Sequence, residues 1–337
     1  MTKWMLALLI FGFTNTSWAY TTDEIVAKIS RHIVKVYVSL PNGYGLGSGV
    51  VIAENQVVTN CHVVAGANAV NVMVDEERFI ATALIPDWHH DLCILKVEGL
   101  KVPIAPIASS EALQYEQAVY SIGFAGGSPR ANATFGVIKS LYPMDDSVVI
   151  RASNTFRLGD SGGGLFDEQG NLVGVIAVKS PGQKANYYNM SVEWVKKLMV
   201  GNEQKINIAG ELPFWAESPE KWPYFMRIVH PYKTESWAKL DEIASEWIGE
   251  EPTNTEAQFY KGVAAFNLRQ VALAEKYLNQ VVHNNLNHSD ALYYLGLIEE
   301  ENGHHDKALE MVAMLNHIDA ISAGNLSEKI GLSVNNK

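Results

Sequence analysis

No stretch of these 337 residues stays apolar long enough to cross a membrane. The apolar run near the start, Trp4 to Phe13, is about half the roughly 20 residues that a spanning helix needs. With Lys3 before it and Ser17-Trp18-Ala19 after it, a small-residue cleavage pattern ahead of Tyr20, residues 1–19 read as a secretory signal. That makes the mature chain an exported one, periplasmic or extracellular, with no transmembrane anchor. Basic residues are also in deficit. Lysine and arginine number 26 against 37 aspartates and glutamates, a net charge of −11. This argues against nucleic acid, whose phosphates need a basic face. Most of the deficit lies from Glu211 onward, where about 19 acids meet about 10 bases, so the preceding part is close to neutral. Cysteine occurs only twice, as Cys61 and Cys93.

What the chain does have is a glycine-rich run, Gly159-Asp160-Ser161-Gly162-Gly163-Gly164-Leu165. A serine hydroxyl is a weak nucleophile near neutrality. It needs a base beside it and donors for the oxyanion that forms on attack. The surrounding glycines permit a tight turn that aims the N–H groups of Gly159 and Ser161 at one point. Upstream, Thr59-Asn60-Cys61-His62-Val63-Val64 supplies a candidate base in His62, and Asp91 heads the apolar run Leu92-Cys93-Ile94-Leu95. Asp87 is the competing acid, but it precedes Trp88-His89-His90 in what reads as a loop. The order His62, Asp91, Ser161 is that of the chymotrypsin-type triad, in which histidine takes the serine proton and the acid orients the imidazole.

Gly47-Ser48-Gly49-Val50-Val51-Ile52 leading to Thr59-Asn60-Cys61-His62 resembles the second strand and histidine turn of the HtrA/Deg branch of trypsin-like proteases. Ser121-Ile122-Gly123-Phe124 with Thr134-Phe135-Gly136-Val137-Ile138 resembles the strands that open that branch's second barrel. Gly170-Asn171-Leu172-Val173-Gly174 and Tyr188-Asn189-Met190-Ser191-Val192 match its closing strands and terminal helix. The resemblance covers roughly residues 25 to 200. It implies two six-stranded β-barrels with the active site in the cleft between them. It also implies a specificity pocket with Thr155 at its base and Ala177, Val178 and Lys179 as a wall that pairs with the substrate backbone. No carboxylate stands at that base, so a small or medium apolar side chain is expected before the scissile bond. The sequence departs from the family in Asp160, where asparagine is usual, in Gly164, where proline is usual, and in having no PDZ counterpart after residue 200. Asp160 needs a partner if buried, and Arg157 and Arg151 are the nearest cations. Nothing after the signal resembles the new N-terminus of an activated zymogen, so no activating cleavage is expected.

If Asp91 meets His62, Cys61 and Cys93 lie near each other as well. In an oxidising compartment they form either a disulfide beneath the site or two thiols packed as small hydrophobes. His89 and His90 invite a metal reading, but no further ligand set accompanies them in sequence, so neither metal nor cofactor is expected.

The expected organisation is a β-rich protease domain over residues 20–204 and a connector over 205–233, where Pro213, Pro219, Pro223 and Pro231 forbid a continuous helix. An α-helical part over 234–320 and a tail over 321–337 follow. Ala257, Gly262 and Ala274 recur 34 residues later as Ala291, Gly296 and Ala308, the period of a tetratricopeptide helix pair. In such a pair the first helix lines a concave face, here Phe259, Val263 and Phe266, then Tyr293 and Leu297. Either an apolar segment of another chain covers this groove, or the connector (Phe214, Trp215, Trp222) or the protease barrel fills it. The whole reads as an endopeptidase acting on polypeptides. The rivals are a catalytically silent scaffold or chaperone, and an esterase using the same triad.

Overall fold

The computed structural model describes residues 22–180, 185–207 and 210–331. The expected signal segment, residues 1–19, lies outside them. Helix α1 (Thr22–Ser30) turns Ile25 and Ile29 into the main core. Strand β1 (Ile33–Leu40) shows why strands follow: Val34, Val36 and Val38 are buried while Tyr37 between them is exposed, the two-residue period of a strand with one face on a core. With β2 (Gly43–Ala53), β3 (Gln56–Thr59), β4 (Ala69–Val74), β5 (Glu77–Asp87) and β6 (Leu92–Val97) it closes a barrel in the order β1-β2-β3-β6-β5-β4. The short helix α2 (Cys61–Val64) interrupts the run after β3.

A second barrel follows from β7 (Ala118–Gly123), β8 (Asn132–Met144), β9 (Ser147–Ala152), β10 (Gly164–Asp167), β11 (Leu172–Lys179) and β12 (Tyr187–Ser191), again closed on itself. Val119, Ile138, Ile150, Leu165 and Val173 fill it. Closure removes the free strand edges that would otherwise template aggregation. Helix α3 (Val192–Leu198) then starts on Ser191, whose hydroxyl accepts from the Glu193 N–H.

The connector forms only short turns, α4 (Tyr224–Arg227) and α5 (Val229–Lys233), as its prolines require. Six longer helices follow: α6 (Trp237–Glu250), α7 (Thr255–Asn267), α8 (Val271–Asn284), α9 (Ser289–Glu301), α10 (His305–Ile318) and α11 (Ala320–Lys329). Helices α7 and α9 begin 34 residues apart, as do α8 and α10. A methyl added at Gly262 would come 2.7 Å from Leu278, and one at Gly296 2.3 Å from Leu326, so both glycines set how closely the helices pack. The segment expected as a tail from residue 321 is helical through Lys329. Ala323 and Leu326 are buried there because the apolar faces of α9 and α10 need a cover.

The helical part is docked on the second barrel. Tyr142 of β8 stacks on Phe225 at 4.5 Å. Beside this stack, the buried carboxylate of Glu256 in α7 accepts from the Tyr115 hydroxyl at 2.5 Å and the Ser140 hydroxyl at 3.1 Å. His288 lies 3.4 Å from it. Burial alone would raise the Glu256 carboxyl, but the hydrogen bond and charge of His288, with the nearby Arg151 charge and the Tyr115 hydroxyl, hold it below the usual range. Lys139 of β8 bridges Glu116 (2.8 Å) and Asp319 (2.9 Å), the residue that caps α11.

Candidate active site

His62 sits on α2 and Asp91 on the turn into β6. The pairing of β3 with β6 places Thr59 opposite Cys93 and so brings the two segments together. Asp91 is fully buried and holds a positive φ of 59°, a conformation that aspartate tolerates better than most residues. Its Oδ2 lies 2.6 Å from His62 Nδ1, and its Oδ1 accepts from the His62 backbone N–H at 2.8 Å. Its own carbonyl accepts from Cys61 N–H and from the Asn60 side chain. Both the ring and the main chain of the histidine are therefore tied to one carboxylate, which leaves Nε2 to face the cleft. Beneath this pair Cys61 and Cys93 are joined as a disulfide, their Cα atoms 4.9 Å apart.

Ser161 lies in the loop before β10. Gly159 has φ +98°, and Gly162 has φ +84° with a notional Cβ only 2.2 Å from the Ser48 carbonyl oxygen, so neither position admits a side chain. Among the described residues the N–H groups of Gly159 and Ser161 donate to no protein acceptor, which leaves two donors free at the point where an oxyanion would form. The Ser161 hydroxyl faces the Ala177 carbonyl at 3.5 Å and makes no hydrogen bond to His62. Such bonds are often long before substrate is bound.

Residues that the sequence reading left without a role hold this loop. Ser48 of β2 is buried. Its hydroxyl donates to the Gly159 carbonyl at 2.7 Å and accepts from the Phe124 N–H at 2.8 Å, while its own N–H donates to the Ser161 carbonyl at 2.8 Å. Thr59 in turn donates to the Ser48 carbonyl at 2.7 Å. Strand β2 of the first barrel thus positions the serine loop of the second. The available signal was a polar residue inside the otherwise apolar Gly47–Ile52 strand.

Asp160 accepts from the Arg157 backbone N–H at 2.8 Å, and its Oδ1 is buried without a well-aligned donor. Neither expected guanidinium pairs with it, because Arg151 points into the seam with the helical part, where its Nε donates to Ser140 at 3.0 Å. Burial pushes the Asp160 carboxyl up, and the Arg157 and Ala125 N–H groups with the Arg157 charge offset only part of that.

The expected pocket residues separate. Thr155 lines a cavity of about 410 Å³ behind the serine loop, together with Asp160, Arg157 and Thr134. Val178 and Lys179 line a different, mostly apolar cleft of about 450 Å³ whose other wall is the connector: Trp215, Trp222, Met226 and Val229. Ala177 is buried beside Ser161. Trp215 stands edge-on to His62, ring centroids 5.5 Å apart.

The apolar groove expected on the helical part is filled from within. Phe259 and Val263 are buried. Phe259 packs on His288 at 4.7 Å, and Phe266 meets Tyr294 at 5.6 Å. Tyr293 and Leu297 pack against the cluster shared by α9, α10 and α11. Tyr232 of the connector reaches this face, packing on Tyr260 beside Phe259, whereas Trp215 goes to His62. The His89–His90 pair also differs from expectation, since the turn between β8 and β9 brings Asp145 to it.

Residues 47–175 match the family model of a trypsin-like peptidase domain. This part of the chain is similar to trypsin-like peptidase domains. Over 136 residues the chain is 33% identical to a probable periplasmic serine endoprotease DegP-like of Marinomonas sp. (strain MWYL1), covering 39% of this chain and 29% of that one. It is 32% identical over 171 residues to serine protease Rv3671c of Mycobacterium tuberculosis, covering 47% and 43%. It is 29% identical over 197 residues to a glutamyl endopeptidase of Staphylococcus epidermidis, covering 51% and 68%. The solved active form of the Rv3671c protease aligns with a TM-score of 0.49 at 27% identity, covering 56% of this chain and 86% of that one. The chain spans less than half the length of the first two relatives. Among the described residues no helix is long and apolar enough to cross a membrane.

Proposed function

We propose that the protein is an exported serine endopeptidase that hydrolyses polypeptides through an acyl-enzyme. Ser161 attacks the peptide carbonyl. His62 takes its proton through Nε2 and returns it to the leaving amine, and Asp91 holds the imidazole in the required tautomer. Gly159 and Ser161 N–H groups receive the oxyanion. The observation that carries this reading is the double hold of Asp91 on His62 together with two unused N–H donors at Ser161. The apolar cleft between Val178 and the connector tryptophans favours substrates with an apolar side chain near the scissile bond. The DegP-like relative is named as periplasmic, which agrees with a cleaved signal at residues 1–19. The 34-residue offset of the helix pairs supports a tetratricopeptide-like reading of the helical part, whose role here is to brace the second barrel and its cleft.

The test is hydrolysis of casein and of a peptide library by the mature protein and by Ser161→Ala. The expected loss is on the order of 10⁶ in turnover, with an unchanged melting temperature. Comparable cleavage by the variant overturns the assignment. Turnover of esters but of no peptide favours the esterase reading.

A further inference from the structure

His90 immediately precedes the catalytic acid and is held unlike any ordinary loop histidine. Its ring stacks on Trp194 at 4.0 Å. Its Nδ1 lies 2.7 Å from Asp87 Oδ2, and its backbone N–H donates to Asp87 Oδ1 at 3.1 Å. A neutral imidazole that donates through Nδ1 presents a bare lone pair at Nε2. That Nε2 is buried and has no hydrogen-bond partner, yet it lies 3.3 Å from Asp145 Oδ2. Two acceptors facing each other at that distance repel unless something positive lies between them.

The second approach to the same oxygen comes from His89, whose Nε2 is 3.0 Å from Asp145 Oδ2. One ligand atom from each of His89, His90 and Asp145 lies within 4.8 Å of the others. Around a tetrahedral zinc ion with bonds near 2.0–2.1 Å, neighbouring ligand atoms are about 3.3 Å apart. Two of the three edges, 3.3 and 3.0 Å, are already close to that length, and His89, about half exposed, is free to adjust. The acid is firmly placed. Asp145 and Asp146 form the two-residue turn between β8 and β9, both with positive φ, and the Asp145 carbonyl accepts from Trp194 Nε1 at 3.1 Å. The group opens on a cleft of about 440 Å³ that Glu211 also lines, leaving room for a fourth ligand, a water or that carboxylate.

We propose that His89, His90 and Asp145 form a divalent transition-metal site, of a chemistry that suits Zn²⁺. Two imidazoles and one carboxylate match such an ion, and Asp87 is the outer carboxylate that fixes the ligating tautomer of His90. The two histidines belong to the first barrel and the aspartate to the second. The ion would therefore clamp the loop that presents Asp91 against the opposite half of the fold, a bracing role outside the chemical step.

The test uses untagged mature protein, treated with chelator, dialysed and titrated with Zn²⁺ alone by calorimetry and thermal melting. One ion per chain is expected, with a rise in melting temperature. His89→Ala and Asp145→Asn, both at exposed side chains and the second keeping a residue type that tolerates positive φ, should each weaken binding at least about tenfold while leaving the metal-free melting temperature in place. Asp87→Asn should weaken it roughly 10- to 100-fold, the scale for an outer partner of a ligating histidine. Co²⁺ should give the intense visible absorption of a four-coordinate site. Absence of saturable binding, or undiminished affinity in both His89→Ala and Asp145→Asn, overturns the proposal. The first result shows that these three side chains hold no ion, and the second assigns the ion to other residues.

Discussion

Trp215, more than fifty residues beyond Ser161 in the chain, stands edge-on to His62, with ring centroids 5.5 Å apart and planes at 88°. Such aromatic contacts contribute about 0.5–1.5 kcal/mol beyond area burial. The connector thereby walls the candidate catalytic cleft with a residue from outside the two barrels. Trp215→Ala should lower stability by more than that amount, because the ring's apolar packing against the core is lost as well. It should lower kcat/KM most for peptides with a large apolar side chain near the scissile bond, since it removes one wall of the cleft. Matched kinetics on an apolar and an alanine-only substrate read this. Equal losses on both would mean that Trp215 only supports His62.

Ser48→Ala should leave the Gly159 carbonyl and the Phe124 N–H unpaired in a buried place, a cost of about 1–3 kcal/mol. Gly159 also carries one of the proposed oxyanion donors, so kcat should fall with little change in KM. Losing a donor outright costs about 10²- to 10³-fold, which bounds the effect from above. Steady-state kinetics with a denaturant melt separate the two losses. An unchanged kcat would show that the loop holds its shape without Ser48.

Removing the Cys61–Cys93 link by the double serine variant should cost about 3–4 kcal/mol, the chain-entropy scale for closing a loop of this length. The proposed triad acid and base flank the link, so activity should fall before the fold is lost as denaturant rises. Urea titrations followed by fluorescence and by hydrolysis check this, and coincident midpoints would contradict it.

Asp160 has a folded-state pKa raised by burial. A raised value means stability is fully present below the unfolded pKa, about 3.9, and is lost as pH rises through the folded one. Asp160→Asn keeps an acceptor for the Arg157 N–H and removes the ionisation. The variant should melt no higher than the parent at pH below that window and clearly higher above it. A pH-independent difference would rule out ionisation as the cause.

Glu256 behaves in the opposite sense. Its pKa is depressed in the fold, so its contribution is present above the unfolded value near 4.3 and disappears as pH falls through the folded one. Glu256→Gln should therefore destabilise at neutral pH by several kcal/mol, the scale for breaking a buried charge network, with the gap closing in acid. Thermal melts across pH decide it.

The barrels and the candidate triad were legible because each element carries its own local signal. Val34, Val36 and Val38 alternate, His62 and Ser161 sit in short runs with recognisable neighbours, and Cys61 and Cys93 follow once Asp91 meets His62. What could not be read were contacts between distant elements. Glu256 looks like any exposed helical acid until Tyr115, Ser140 and Arg151 surround it. Phe259 and Val263 looked like a groove because sequence periodicity marks an apolar face without naming its cover. Asp145, in a turn more than fifty residues from His89, gave no hint of converging on it. Thr155 and Val178 were grouped by the family resemblance, yet they line separate cavities here.

The Tyr142–Phe225 stack and the Glu256 cluster also bear on how the molecule comes apart. A peptidase domain cut after residue 204 would bare the Tyr142 and Tyr188 rings and strand Arg151 without its acidic neighbours. The second barrel and the helices should consequently melt in one cooperative step, and proteolysis in the connector should abolish the proposed peptidase activity, not release a working fragment. Heterologous production would then need the whole length through Lys329, and a swapped-in helical array from another protein would have to reproduce that seam before it could be tolerated.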